Sequence, residues 1–162
     1  MRGYKSKTLA TWLAVVGGSL GLHRLYLHGF KDVVAWLHAL PTALGLHGLQ
    51  RVQQFGQDDQ LSWALIPLLG LMVAQAMLHA ILYGLTPDER WDERWNAGRR
   101  GPGTRWAPVL GVIAGLMIGA GALMATIAFS AQRYFEYQIE EARKISQDVE
   151  PRPPGGRPRG AE

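Results

Sequence analysis

Two uninterrupted runs without a formal charge, Leu61 to Leu85 and Trp106 to Gln132, restrict this 162-residue chain more than any other feature. At about 1.5 Å of helical rise per residue, each run exceeds the roughly 30 Å of a bilayer's hydrocarbon core. Hydrocarbon offers no hydrogen bonds, so a segment that crosses it satisfies its backbone internally, as a helix does. A soluble bundle is the competing reading, and its difficulty is that helices apolar on every face have no polar side to turn to water. Two shorter charge-free runs precede them, Leu9 to Leu22 and Val33 to Leu49. The first reaches crossing length only if extended over Lys7 to Leu27, which puts His23 and Arg24 near one end, where an arginine can reach the headgroups. The predicted fold class is all-α: a multi-span helical membrane protein with four transmembrane helices, a short interfacial helix and a C-terminal amphipathic helix.

The composition is 48% hydrophobic and 19% charged, and there is no cysteine, which excludes disulfides, thiol nucleophiles and cysteine-ligated metals. Four of the six tryptophans, Trp12, Trp36, Trp63 and Trp106, stand near proposed span starts, with Tyr26 and Tyr83 near span ends, as amphipathic rings do at headgroup level. Arg2, Lys5 and Lys7 precede the first apolar stretch in the manner of a signal peptide. No small-residue cleavage site follows, so the stretch reads as a retained span. With four spans, ten basic residues against seven place both termini in the cytoplasm of a multi-pass protein.

Gly17-Gly18-Ser19-Leu20-Gly21-Leu22-His23-Arg24-Leu25-Tyr26-Leu27 resembles the signature of the TM2 domain family, whose members are small modules of two membrane helices joined by a short linker. Gly21, His23, Arg24, Tyr26 and Leu27 fit the family pattern, and Thr42, Gly45 and Gly48 fall in the second helix of a hairpin over residues 5–52. Leu25 stands where the family has Phe, His28 displaces the following glycine to Gly29, and Gln50-Arg51 occupies the place of an acidic residue. The resemblance implies a membrane protein, here of the cell membrane and in a bacterium the inner one, and it brings no catalytic mechanism. Physically, an arginine beside a histidine at the mouth of a tight connection suits lipid phosphate or the carbonyls of a helix end.

No two of the five histidines are three or four residues apart, the spacing that lets ligands share a helix face, so no metal or other cofactor is expected. Gln75 and His79 do share a face within the third span and suit interhelical hydrogen bonding or a polar pocket. Gly111, Gly115 and Gly119 form a four-residue stripe on the fourth span, the pattern that lets helix backbones approach closely in lipid, and Ala10, Ala14 and Gly18 form another on the first.

Between the third and fourth spans, an interfacial loop over residues 86–105 opens on Thr86-Pro87-Asp88-Glu89, the order of a capping box with proline in the first turn. The short helix that follows repeats Asp-Glu-Arg-Trp at 88–91 and 92–95, with Trp91 and Trp95 on one face suited to lie on a membrane. Four carboxylates within the repeat argue against nucleic acid as a partner. Residues 133–149 keep helical periodicity, and 150–162, rich in Pro, Gly and Arg, read as a disordered tail. No hydrolase elbow, phosphate loop, zinc-protease or dinucleotide motif occurs. The expectation is a packing or scaffold module without catalytic activity that binds membrane lipids and either other membrane proteins or itself; a small transporter or channel subunit is the alternative.

Overall fold

The computed structural model describes residues 3–101, 103 and 105–149, the last two of these by their backbone alone, and every regular element among them is helical. The tail over 150–162 lies outside the described residues.

Helix α1 (Lys7–Gly17) begins at Ser6, whose hydroxyl accepts from the Leu9 N–H at 3.4 Å, and runs into a 3-10 turn at Gly18–Leu20. At Gly21, with φ 78°, the chain reverses into α2 (Leu22–His28). The span expected over Lys7 to Leu27 is thus corrected: it is two short helices folded back on one another. Helix α1 rises only about 16 Å, half a bilayer core, before paired glycines and a left-handed residue end it. The return brings Tyr26 beside the start of α1, where its hydroxyl accepts from the Ser6 N–H at 2.7 Å and its carbonyl accepts from the Lys5 ammonium. Both ends of this hairpin therefore open at the same end of the molecule.

Three long helices make the body: α3 (Val33–Phe55), α4 (Gln60–Leu85) and α6 (Ala107–Val149), with the short α5 (Asp88–Asn96) between the last two. The central helix is α4, and α1, α3 and α6 all run antiparallel to it. A Cβ added at Gly45 of α3 would stand 2.5 Å from Leu69 Cβ, one at Gly18 would stand 2.7 Å from Ala76 Cβ, and one at Gly84 of α4 would stand 2.4 Å from a Val112 methyl of α6. Small residues thus set the interhelical distances, as in lipid-embedded bundles. The Ala10-Ala14-Gly18 stripe faces this seam, with both alanines wholly buried.

The α2–α3 and α3–α4 connections repeat one another in residue type and spacing. Each begins on a left-handed glycine, Gly29 (φ 89°) or Gly56 (φ 86°), whose N–H caps the preceding helix. Each ends on an N-cap aspartate, Asp32 or Asp59, whose carboxylate is bound by an arginine eight residues earlier, Arg24 or Arg51. Each carries a tryptophan four residues past the aspartate, Trp36 or Trp63, whose indole N–H donates to a connector carbonyl, that of Phe30 at 3.0 Å or Gln57 at 2.8 Å. These connectors lie at opposite ends of α3, so about 34 Å of helix separates them.

Among the described residues, two helices are long and apolar enough to cross a membrane, α4 and α6. Four such helices, the number expected from the sequence, are not present: the first expected span is a broken hairpin, and α3 carries His38, Pro41 and His47 among its apolar residues. The helical periodicity expected over 133–149 is the uninterrupted end of α6. Arg133, its guanidinium over the Trp63 ring at 5.3 Å, marks where α6 passes the start of α4, and the remainder of the helix rises about 24 Å past the bundle.

Candidate functional site

The principal polar feature is built where α2, the last turns of α4 and α5 meet. The Asp-Glu-Arg-Trp repeat explains itself here: a four-residue period on a helix gives each residue type its own face. The aspartate face holds the N-terminal segment. Asp92 accepts from the Tyr4 hydroxyl at 3.0 Å and from the Asn96 amide at 2.8 Å, while Asp88 pairs with Lys7 at 2.5 Å. Asn96, buried with Asp92, also reads both main-chain groups of Lys5, accepting from its N–H at 2.7 Å and donating to its carbonyl at 3.2 Å. The Asn96 amide foremost, then the Gly101 N–H and the Tyr4 hydroxyl, hold the Asp92 carboxyl below the usual carboxylate range against the opposing pull of burial.

The tryptophan face turns inward. Trp91 is 2% exposed, donates to the Lys5 carbonyl at 2.7 Å and packs edge-on to Tyr83, and Trp95 lies half-buried beside it. The expectation that both rings lie on a membrane surface is therefore corrected, because the N-terminal segment and α4 cover that face. The expected capping box is corrected as well: Thr86 ends α4, its hydroxyl donating to the Leu82 carbonyl at 2.6 Å, and no side chain caps α5.

Between these elements lies a cavity of about 410 Å³. Arg24 and His28 line it from α2, His79, Leu82, Tyr83 and Thr86 from α4, and Trp91, Arg94 and Trp95 from α5. Among the described residues, no carboxylate is part of its wall. Arg24 is held from behind by Asp32, at 3.0 Å from Nε alone. In the twin connector Arg51 binds Asp59 through both Nε and Nη2 at 2.8 Å, and Ser62 completes the carboxylate's shell. Arg24 thus keeps both terminal nitrogens free of any partner among the described residues. Arg94, exposed, lies over the Trp95 ring at 5.4 Å and has no carboxylate within 4.0 Å among the described residues.

Beneath the cavity three histidines converge from three helices. His23 of α2 is wholly buried, with ring centroids 4.9 Å from His79 of α4 and 5.8 Å from His38 of α3. Neither nitrogen of His23, nor Nε2 of His38, has a hydrogen-bond partner among the described residues. The other nitrogen of His38 bonds the Val34 carbonyl at 2.6 Å, and His79 Nδ1 bonds the Gln75 carbonyl at 2.9 Å. Among the described residues, no group of three or more His, Asp or Glu is arranged to hold a metal ion. Spacing along one helix could not reveal this cluster, since each of its members comes from a different helix.

The remaining residues singled out in the sequence fall as follows. Gly21 lies against α3, where an added Cβ would stand 2.3 Å from the Ala35 carbonyl oxygen. Gln75, despite sharing a helix face with His79, lines an apolar groove between α4 and α6 together with Gly115 and Gly119. Gly111 abuts Thr11 of α1, whereas Gly115 and Gly119 abut Met77 of α4, so the glycine stripe is occupied by helices of the same chain. Thr42, beside Gly45 and Gly48 on the inner face of α3, donates to the Ser19 carbonyl at 2.6 Å. Comparison of the chain with protein-family models, with curated proteins and with solved structures gives no match.

Proposed function

We propose that this chain is an integral protein of the cell membrane, of TM2 domain type, that serves as a packing and partner-binding module without catalytic chemistry. The observation that carries this reading is the exposure of its most apolar helices. Only 22% of the most apolar stretch of α4, and 6% of that of α6, is buried within the molecule. The core helix of a soluble protein would be mostly covered, whereas a helix solvated by lipid need not be. The roles of Gly21 as the left-handed turn, Arg24 as the clamp of Asp32, and Tyr26 as the tie to the N-terminal segment support the resemblance to the family's hairpin.

The twin connectors support a crossing by α3 in addition to those by α4 and α6. Trp36 and Trp63, each bonded to the connector at one end of the roughly 34 Å of α3, fit the two interfaces of one bilayer. Three crossings put the ends of the chain on opposite sides, not both in the cytoplasm as four spans would have them. Among the described residues, Lys5, Lys7, Arg24, Lys31, Arg90, Arg94, Arg99, Arg100 and Arg105 stand at the α5 end, against Arg51, Arg133, Arg143 and Lys144 at the other, an excess that supports the α5 end as the cytoplasmic one. Alkaline carbonate washing should leave the chain in the membrane pellet, and its release into the supernatant would refute the membrane reading.

A transporter or channel-subunit role is favoured by one observation, the convergence of His23, His38 and His79 inside the bundle. Proteoliposomes that pass protons through the parent chain but not through its His23→Leu form would establish it; equal leak through both would discard it.

A further inference from the structure

We propose that the cavity between α2, α4 and α5 binds a phosphate group, held between the guanidinium groups of Arg24 and Arg94. This inference rests on the membrane reading for the source of the phosphate, a lipid headgroup, and on the cavity's own geometry for its chemistry.

The two Arg–Asp clamps provide an internal comparison. At the α3–α4 connector the arginine uses two nitrogens on the carboxylate, and its own side chain stacks over Phe55 at 4.8 Å, so the pair is closed. At the α2–α3 connector, His28 occupies the place of Phe55, and Arg24 contacts Asp32 by Nε only. Its terminal nitrogens are left to a wall that, among the described residues, contains no acid. Asp32 fixes the plane of the guanidinium without consuming the donors that a planar fork offers to an oxyanion.

Arg94 supplies the second cation from α5. The tetrapeptide repeat puts Asp88 and Asp92 on the face that holds the N-terminal segment, so the acids are drawn away from the cavity and Arg94 is left on its rim. His28, also exposed, lines the cavity, with its Nδ1 3.5 Å from the carboxylate of Asp32. A volume near 410 Å³ lies within the range of small-ligand sites, roughly 300–1,000 Å³. A phosphate monoester, with several acceptor oxygens and more than one negative charge, uses two guanidinium groups on the wall of one cavity more fully than a single carboxylate does. The cavity also stands where α4 ends and α5 begins, the level at which a spanning α4 meets the headgroups, with Leu82 and Trp95 as apolar walls for the adjoining glycerol and chain carbons.

The test is native mass spectrometry of the full chain in mild detergent, titrated with dioleoyl phosphatidic acid and, separately, with dioleoyl phosphatidylcholine. One phosphatidic acid should bind at concentrations where phosphatidylcholine does not. Arg94→Gln should weaken that first binding about tenfold, Arg94→Lys should retain most of it, and Lys144→Gln, at the far end of α6, should leave it unchanged. Arg94 is exposed and makes no ion pair among the described residues, so its replacement leaves the fold's supports in place; circular dichroism of each variant verifies this. Millimolar inorganic phosphate that displaces the lipid identifies free phosphate as sufficient, and failure to displace it shows that the lipid is the source; both outcomes keep the phosphate site. Equal affinity of the parent and Arg94→Gln forms, or an equal loss in Lys144→Gln, would overturn it. Release of the chain by carbonate refutes the membrane reading, whereas a carbonate-resistant chain without selective binding refutes this proposal alone.

Discussion

Asp59 shows how a single side chain can organise a connection between helices. It caps α4 through the Ser62 N–H at 3.1 Å while accepting two bonds from Arg51 of α3, so one carboxylate ties both helices to the loop between them. Arg51 first, and Ser62 next, hold this carboxyl well below its ordinary value of 3.8. A folded value lower than the unfolded one means that the stabilisation is complete above pH 3.8 and is lost as the pH falls from there through the lowered folded value. Thermal unfolding followed by circular dichroism should therefore show a melting temperature that drops below about pH 4, and Asp59→Asn should lower the melting temperature at neutral pH and flatten that acid limb. A variant with the parental acid limb would mean that the clamp contributes nothing. Trp91 is a second such residue: Trp91→Phe removes its bond to the Lys5 carbonyl and part of the ring that fills the core under α5. The Lys5 carbonyl keeps the Asn96 amide as a second donor, so the bond lost costs about 0.5–1.5 kcal/mol. The readout is early proteolysis of the N-terminal segment, and a parental digestion pattern would contradict the anchoring role given to α5.

Between elements, contact is made by small residues, and their placement separates tight seams from open faces. An added Cβ at Gly45 would lie 2.6 Å from the Leu69 nitrogen and 2.9 Å from its Cα, backbone atoms that cannot step aside without moving α4. Gly45→Ala should thus destabilise the chain by about 1–3 kcal/mol, as overpacking does. Gly121 on α6 has nothing within 4 Å of such a Cβ, so Gly121→Ala should leave stability unchanged or raise it slightly through helix propensity. Denaturant unfolding in detergent compares the two, and equal effects would show that α3 and α4 are not in close contact. The stripe of Gly111, Gly115 and Gly119 was legible in the sequence as a packing surface, but not its occupant. That depends on α6 lying beside α1 and α4, which no local pattern states.

For the molecule as a whole, the proposed crossing by α3, added to those by α4 and α6, has a topological consequence. The N-terminal segment is bound to α5 at one end, and α6 leaves the bundle past Trp63 at the other. Because the chain has no cysteine, single cysteines introduced as Gly3→Cys and Gln147→Cys are clean probes. In sealed vesicles, a membrane-impermeant maleimide should label one of the two and reach the other only after the membrane is opened. Labelling of both from the same side would restore an even number of crossings.

What the sequence determined by itself is whatever follows from composition along a single helix: the apolar runs that became α4 and α6, and the four-residue glycine stripe. It also held a signal that single-helix periodicity passes over, the repeated Arg-x4-Gly-x2-Asp-x3-Trp spacing at 24–36 and 51–63, visible once the two connectors are laid side by side. Tertiary structure alone decided the rest. The fold-back at Gly21 depends on α2 finding the start of α1, so a run with the length of a span became a folded-back hairpin. The inward turn of Trp91 depends on Lys5, far away in the sequence, accepting its N–H. The cavity and the histidine cluster join α2, α3, α4 and α5, and the acid that holds Arg24 came from the next loop. Periodicity reports which face of a helix is apolar; it carries no information about which other helix, or which charge, will stand opposite.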